Sequence, residues 1–290
     1  NVKALYGDSY LKFQENKLKL YKLSPLCYEP KFDLSALEHI DRIKRSLLNA
    51  IKMRISNIRN IAIGISGGLD SRILLGLISK FDNIKINGYT YGCKGFVESK
   101  VAKEIMEYFK FRHLIFEFND LLYLDYAGDG ISLSSGTSIF KHGIQFHLFN
   151  TIKKEFSSQG TILGSALDLT IGDNYKLPKS KNLDSEDDLI NFYTKNLFNL
   201  DLISFKKLCN KKEDYYNAIE SVRECIKTNL KQISYSSFED LNSSYLFISR
   251  VKRWYNQNLI YHLINNKLIL PTYDTHFLKL VSQVPYELRE

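Results

Sequence analysis

The chain has 290 residues, 44% of them apolar, which is enough for a sizeable core in one large domain or two smaller ones. Its net charge of +8 is a modest excess that suits a nucleotide or another anionic ligand; a solvated basic surface accounts for it better than a nucleic-acid partner does. The four cysteines form no Cys-x-x-Cys pair, which argues against the usual zinc and redox motifs and fits a reducing cytoplasm, and no apolar run approaches the roughly 18 residues of a membrane span.

Residues 1–34 read as an N-terminal strand segment. Tyr, Leu, Phe and Lys alternate there around the turn-prone pairs Gly7-Asp8 and Glu15-Asn16, the pattern of a hairpin or meander. Ser35-Ala36-Leu37-Glu38 has the form of a capping box. Leu37, Ile40, Ile43, Leu47, Leu48, Ile51 and Ile55 then recur at helical spacing. The run Ile61 to Ile65 is short, β-branched and Gly-bounded, so a buried strand is expected, followed by a helix from Ser71. A second strand is expected over 84–91, a helix over 97–110, a third strand over 112–118, a helix over 138–156 and a fourth strand over 160–164. This alternation across residues 35–173 predicts an α/β fold with a doubly wound parallel sheet, whose ligands sit beyond the carboxyl ends of its strands. Residues 176–188 are polar and read as a mobile loop. Helices over 186–198, 213–230 and 238–264 make residues 174–290 a helical lobe. The chain starts at Asn1 without Met and stops at Glu290 inside what reads as a continuing segment, so a piece of a longer protein, truncated in this lobe, is expected.

Two segments carry chemistry. Ser66-Gly67-Gly68-Leu69-Asp70-Ser71 lies between the first strand of this alternation and the helix after it. Its glycines let backbone N–H groups turn toward an anion with no side chain in the way, and the helix N-terminus adds partial positive charge. No Lys follows, so this is not a P-loop, and the dinucleotide fingerprint Gly-x-Gly-x-x-Gly is absent as well. The second segment, Leu163 to Asp173, follows the fourth strand and contains Gly164 and Asp168. Asp70 and Asp168, at adjacent strand ends, could share one or two Mg²⁺ ions on a triphosphate.

The first segment resembles the pyrophosphate-binding loop of the ATP pyrophosphatases, which split ATP between its α and β phosphates. By that resemblance Ser66, Gly67, Gly68 and Ser71 cradle pyrophosphate, Asp70 holds Mg²⁺ and Gly164 lies against the nucleotide. The two segments together, about one hundred residues apart, resemble the synthetase domain of the asparagine synthetase family, which includes β-lactam synthetases and lasso-peptide cyclases. Asp168 then matches the second metal-binding Asp. Ile269-Leu270-Pro271-Thr272-Tyr273-Asp274 resembles the family's Arg-x-Pro-Phe-Leu-Asp, Arg250 to Trp254 resembles a basic helix of diverged members, and residues 1–32 resemble the link to a glutaminase domain. Departures are Leu169 where a Glu usually follows the Asp, Ala166 for the second Gly, Lys267 and Ile269 for the Glu and Arg before the Pro, and Asp173 for a Gly. A catalytic Lys that the family places further on lies past Glu290.

The resemblance implies an ATP-dependent, AMP-forming ligase that adenylates a carboxylate and passes it to an amine. ATP and Mg²⁺ are the expected cofactors, small-molecule or peptide acids and amines the substrates, and a separate glutaminase domain or subunit a possible partner. Two rivals stand beside it: a catalytically inactive nucleotide-binding scaffold, motivated by Leu169 and Asp173, and an ATP pyrophosphatase acting in tRNA modification.

Overall fold

A computed structural model of the chain describes residues 9–22, 28–93, 95–134, 143–171, 185–196, 206–207, 209, 211–250, 259 and 267–289. By packing, the chain falls into two units. One comprises residues 34–171 and 250–281, the other 1–33, 172–249 and 282–290.

The first unit is built on five parallel strands: β3 (Asn60–Gly64), β4 (Lys85–Cys93), β5 (Arg112–Phe118), β6 (Gly160–Ile162) and β7 (Lys267–Ile269), in the order β5-β4-β3-β6-β7. The chain runs outward from β3 to β5 on one side, then returns to place β6 against the other edge of β3. The sheet is therefore doubly wound, and its switch point lies between β3 and β6.

Both faces are covered, which is why β3 reads as an unbroken apolar run. Ile61 and Ile63 point to one side, into a cluster with Ile51 and Ile55 of α1 (Ala36–Ile55), Leu74 and Ile78 of α2 (Leu69–Ile78), Met106 of α3 (Val97–Tyr108), and Phe277 and Val281 near the chain's end. Ala62 points to the other side, with Tyr89, and meets Leu148, Phe149 and Ile152 of a helix over Gly143–Phe156. Two short helices precede that one: α4 (Asp120–Asp125) and α5 (Ala127–Ser134), so it is α6. Neither short helix was anticipated, and residues 138–142 of the expected helix lie outside the described residues.

The amino end of the sheet closes on itself. Asn87 Nδ2 donates to Asn60 Oδ1 at 2.7 Å, and Asn60 Nδ2 donates to the Phe156 carbonyl at 2.7 Å. Gln159 Oε1 accepts from the N–H groups of Arg59 and Asn60. These bonds satisfy backbone and side-chain groups that would be costly to bury alone.

The capping box forms: Glu38 N–H donates to Ser35 Oγ while Ser35 N–H donates to Glu38 Oε2 at 2.8 Å. The helical stripe after it is only partly core. Leu37 and Ile40 are 77% and 59% exposed, whereas Leu47, Ile51 and Ile55 are buried, because the first turns of α1 extend past the sheet cluster. Strand β7 was not read from the sequence. Its three residues are too few to show a period, and Pro271 follows after only Leu270.

The second unit contains a hairpin, β1 (Ser9–Gln14) and β2 (Lys17–Lys22), turning at Glu15 and Asn16 with φ of 52° and 56°. Left-handed φ at both turn positions is the type I′ geometry that matches strand twist. A separate helical core joins α8 (Glu186–Asn196), α9 (Lys212–Leu230) and α10 (Phe238–Arg250), counting a one-turn α7 (Leu167–Thr170) of the first unit, through Leu189, Tyr193, Ile226, Leu241 and Tyr245. Residues 28–31 run beside 282–283 through two backbone bonds of 2.9 and 2.8 Å, and the Arg289 guanidinium stacks on Tyr28 and pairs with buried Asp240 at 2.5 Å. The polar stretch at 174–184 and residues 251–258 and 260–264 of the last expected helix lie outside the described residues. No helix among the described residues is long and apolar enough to cross a membrane.

The contrast along α1 gives a test. Ile51→Ala should cost about 2–5 kcal/mol in urea unfolding, as a buried large-to-small change does. Ile40→Ala should stay within about 0.5 kcal/mol. Equal losses would show that the whole stripe is core.

Candidate active site at the switch point

The residue before the loop is pinned on both sides. Ile65 N–H donates to the Tyr89 carbonyl at 2.8 Å, and Thr90 Oγ1 donates to the Ile65 carbonyl at 2.7 Å. That donation uses the one hydroxyl proton of Thr90, so at 2.8 Å from His113 Nε2 it accepts, and His113 carries its proton on Nε2. Burial pushes the His113 pKa down, against a smaller upward pull from Glu107.

The loop then closes through its two serines. Ser71 Oγ accepts from Ser66 N–H at 3.1 Å and lies 3.2 Å from the Ser66 carbonyl. Gly68 N–H donates to Ser66 Oγ at 3.1 Å. Gly68 is the N-cap of α2, with φ −75° and ψ 160°, so its backbone is ordinary; what matters is space. A Cβ there would lie 3.2 Å from Ser66 Oγ. The first N–H groups of α2 lack carbonyl partners within the helix, as at every helix start, and with the macrodipole they favour negative charge there.

Gly164 follows β6 and faces the start of α2. A Cβ on it would sit 3.3 Å from Asp70 Cβ and 3.4 Å from Leu74. The missing side chain is what lets Asp70 approach the end of β6. Gly164, expected from the sequence to lie against the nucleotide, faces Asp70 beside the loop.

Asp168 lies in α7, one strand over. Its backbone N–H donates to the Asp70 carboxylate, so the two acids meet across the switch point. Burial raises the Asp70 pKa, the Asp168 charge raises it further, and the Asp168 N–H only partly offsets them. Ala166, just before α7, has φ 62° and ψ 13°, a conformation that costs a side-chain-bearing residue roughly 1–2 kcal/mol. A glycine would take it freely, which is why the family pattern has Gly there. Leu169 is buried, packed where that pattern has an acid. Asp173 lies outside the described residues, as do Arg253 and Trp254 of the basic segment. Among the described residues no group of three or more His, Cys, Asp or Glu is gathered for a metal; the acidic centre is a pair.

The segment after β7 supports this edge. Thr272 Oγ1 donates to the Ser165 carbonyl at 2.6 Å. Asp274 caps α11 (Thr275–Val281), accepting from the N–H groups of His276 and Phe277, and pairs with Arg54 at 2.9 Å. Burial pushes the Asp274 carboxyl up, but the Phe277 N–H and the hydrogen bond and charge of Arg54 together hold it below its ordinary value. Ile269 is buried in the sheet core, so the apolar residue at that departure from the family pattern is there for packing.

Beside the loop lies a cavity of about 400 Å³, reached by Ser66, Thr90, Tyr91, Gln145 and Ser165. Sequence reasoning missed Gln145 and Thr90. Their positions depend on which residues of α6 and β4 face the crevice, and periodicity alone does not separate these from core positions.

The strand order, with a Ser-Gly-Gly-Leu-Asp-Ser turn at the switch point, is the α/β architecture of the ATP pyrophosphatase type. Residues 42–135 match the sequence profile of the asparagine synthase family. A putative glutamine-hydrolysing asparagine synthetase from Methanocaldococcus jannaschii is 30% identical over 95 residues, a match that spans 32% of this chain and 18% of that protein. Over residues 42–135 the chain is therefore similar to proteins of the asparagine synthetase type. Among solved structures, an NH3-dependent NAD synthetase from Campylobacter jejuni is 12% identical, covering 78% of this chain and 96% of its own, with a TM-score of 0.35. An NMN synthetase from Francisella tularensis is 15% identical over 76% and 97%, with a TM-score of 0.37. Those scores add nothing to what the strand order establishes.

The raised Asp70 pKa has a consequence for stability. Ionising Asp70 costs more in the folded chain than in the unfolded one. That cost is absent below the unfolded value of about 4 and complete above the folded value. Asp70→Asn should therefore melt higher than the wild type at pH 7 without ligand, and the gap should close as the pH falls toward 4. A variant less stable at pH 7 would mean that Asp70 serves the fold as a cap.

Proposed function

We propose that the chain is the synthetase part of an ATP-dependent, AMP-forming ligase that activates a carboxylate as its adenylate and transfers the acyl group to an amine. The observation that carries this reading is the meeting of Asp70 and Asp168 beside a serine-braced anion loop. The Asp168 charge raises the Asp70 pKa, so the pair favours a ligand that brings positive charge, and two hard oxygen donors beside a phosphate site fit Mg²⁺, which takes one or two protein carboxylates plus phosphate oxygens and water. Asp70 and Asp168 would hold it. When bound, Mg²⁺ would offset the charge that develops on the leaving pyrophosphate.

The remaining roles fall to the chain itself. The start of α2, with Ser66 and Ser71, binds the β and γ phosphates through N–H and O–H donors. Ser66 and Ser71 hold the loop in shape before ligand arrives, so little reorganisation is needed on binding. An acid whose carboxylate reaches the α phosphorus displaces pyrophosphate, and an amine then displaces AMP from the acyl-adenylate. Glutamine hydrolysis, where the whole protein uses it, belongs to a partner domain or subunit. A cytoplasmic setting suits an ATP-dependent reaction. Buried Leu169 favours a second reading, a nucleotide-binding domain without turnover, and the same assay decides between them.

The assay is pyrophosphate release with ATP, Mg²⁺ and a panel of carboxylic acids. The ligase reading expects acid-dependent release of pyrophosphate and AMP; nucleotide binding without release in any acid supports the scaffold. Gly68→Val should weaken ATP binding by about 10–100-fold, since its side chain displaces the Ser66 hydroxyl and obstructs the approach of phosphate to the helix start. Unchanged affinity in calorimetry would move the nucleotide elsewhere.

A further inference from the structure

We propose that Gln145 reads the base of the bound nucleotide, selecting a purine that presents an exocyclic amino group. This rests on the ATP reading above and adds a specificity residue to it.

The cavity beside the loop begins at Ser66, which also braces the phosphate site. A nucleotide with its phosphates at α2 therefore has this space for its other end. The walls there include Ile65, Tyr91, Leu163 and Leu259, apolar surfaces suited to the faces of a flat base. Gln145 projects into this space from α6. Its Oε1 is buried and, among the described residues, has no hydrogen-bond partner. An amide oxygen in that state is costly unless a ligand donor meets it. It cannot easily withdraw, because Ile144, Leu148 and Phe149, on either side of it in the same helix, are buried against the sheet. The charged residue in the lining is Glu98, exposed at the rim. Its carboxylate, too, favours a donor over an acceptor on the ligand. Adenine offers such a donor at N6. A purine with hydrogen or a carbonyl at that carbon does not.

The test compares ATP with purine riboside triphosphate, which lacks only the 6-amino group, by calorimetric titration in Mg²⁺. Wild-type protein should bind ATP at least about 10-fold more tightly, the size expected when a buried acceptor loses its donor. Gln145→Leu should bring the two within about 2-fold by weakening ATP alone. Gln145→Glu, which offers acceptors only, should keep the preference. Inorganic pyrophosphate, which occupies the loop and not the cavity, should bind wild type and both variants alike, showing that the fold and phosphate site are intact. A ratio near one in the wild type, or one unchanged by Gln145→Leu, would overturn the assignment while leaving the ATP site standing. No ATP binding by the wild type would overturn both. If Gln145→Leu fails to fold, Gln145→Met, closer in shape, serves in its place with the same expectations.

Discussion

Strands β3 and β6 pair over three residues and then part, and the chemistry gathers where they part. One strand leads to the serine-glycine loop and α2, the other to Gly164 and α7. The constraint is closeness: Gly164 has no side chain, so Asp70 comes up against the end of β6 and meets the Asp168 N–H. A methyl group at position 164 would crowd Asp70 and Leu74, which would have to give by a few tenths of an ångström. Burial and the Asp168 charge make Asp70 costly to ionise, and a cation beside the two acids would relieve part of that cost.

Side-chain bonds brace both ends of the sheet, and each end leaves one buried amide oxygen without a bond among the described residues, Asn87 Oδ1 at the amino end and Gln145 Oε1 at the carboxyl end. At the amino end, Asn60, Asn87 and Gln159 tie up exposed strand groups in side-chain bonds. At the carboxyl end, Thr90, Ser66, Ser71 and Thr272 brace backbone around the crevice, while Gln145 Oε1 stays unmet. A rigid frame with an unsatisfied group aimed into a cavity is an arrangement that suits a binding site, because the frame cannot relax to satisfy that group itself.

Much of this was legible in the sequence, for a physical reason. A strand covered on both faces must be apolar throughout, so Ile61 to Ile65 stood out, and glycine with serine at its end marked the turn into α2. Position after a strand was enough to place Asp70 and Asp168 at one edge of the sheet. Other features were hidden because they depend on tertiary neighbours. Lys267 to Ile269 is a strand only because β6 offers an edge to it. Leu37 and Ile40 keep the helical period but lie beyond what the sheet covers. Asp274 was read as part of a motif, yet its work is local: it caps α11 and holds Arg54. Ala166 takes a glycine's conformation without being glycine, so the pattern was blurred while the backbone kept its path. Whether Gln145 lacks a partner cannot be known until every neighbour is in place.

The central claim is that Asp70 and Asp168 hold one cationic centre at the phosphate site. Anomalous diffraction from crystals grown with Mn²⁺ and a non-hydrolysable ATP analogue tests it most directly. The account predicts a manganese peak within about 2.0–2.3 Å of a carboxylate oxygen of Asp70, and one within the same range of Asp168, on the same ion or on a neighbouring one that shares the phosphates. A metal bound to the phosphates alone, with Asp168 turned away from it, would contradict the account.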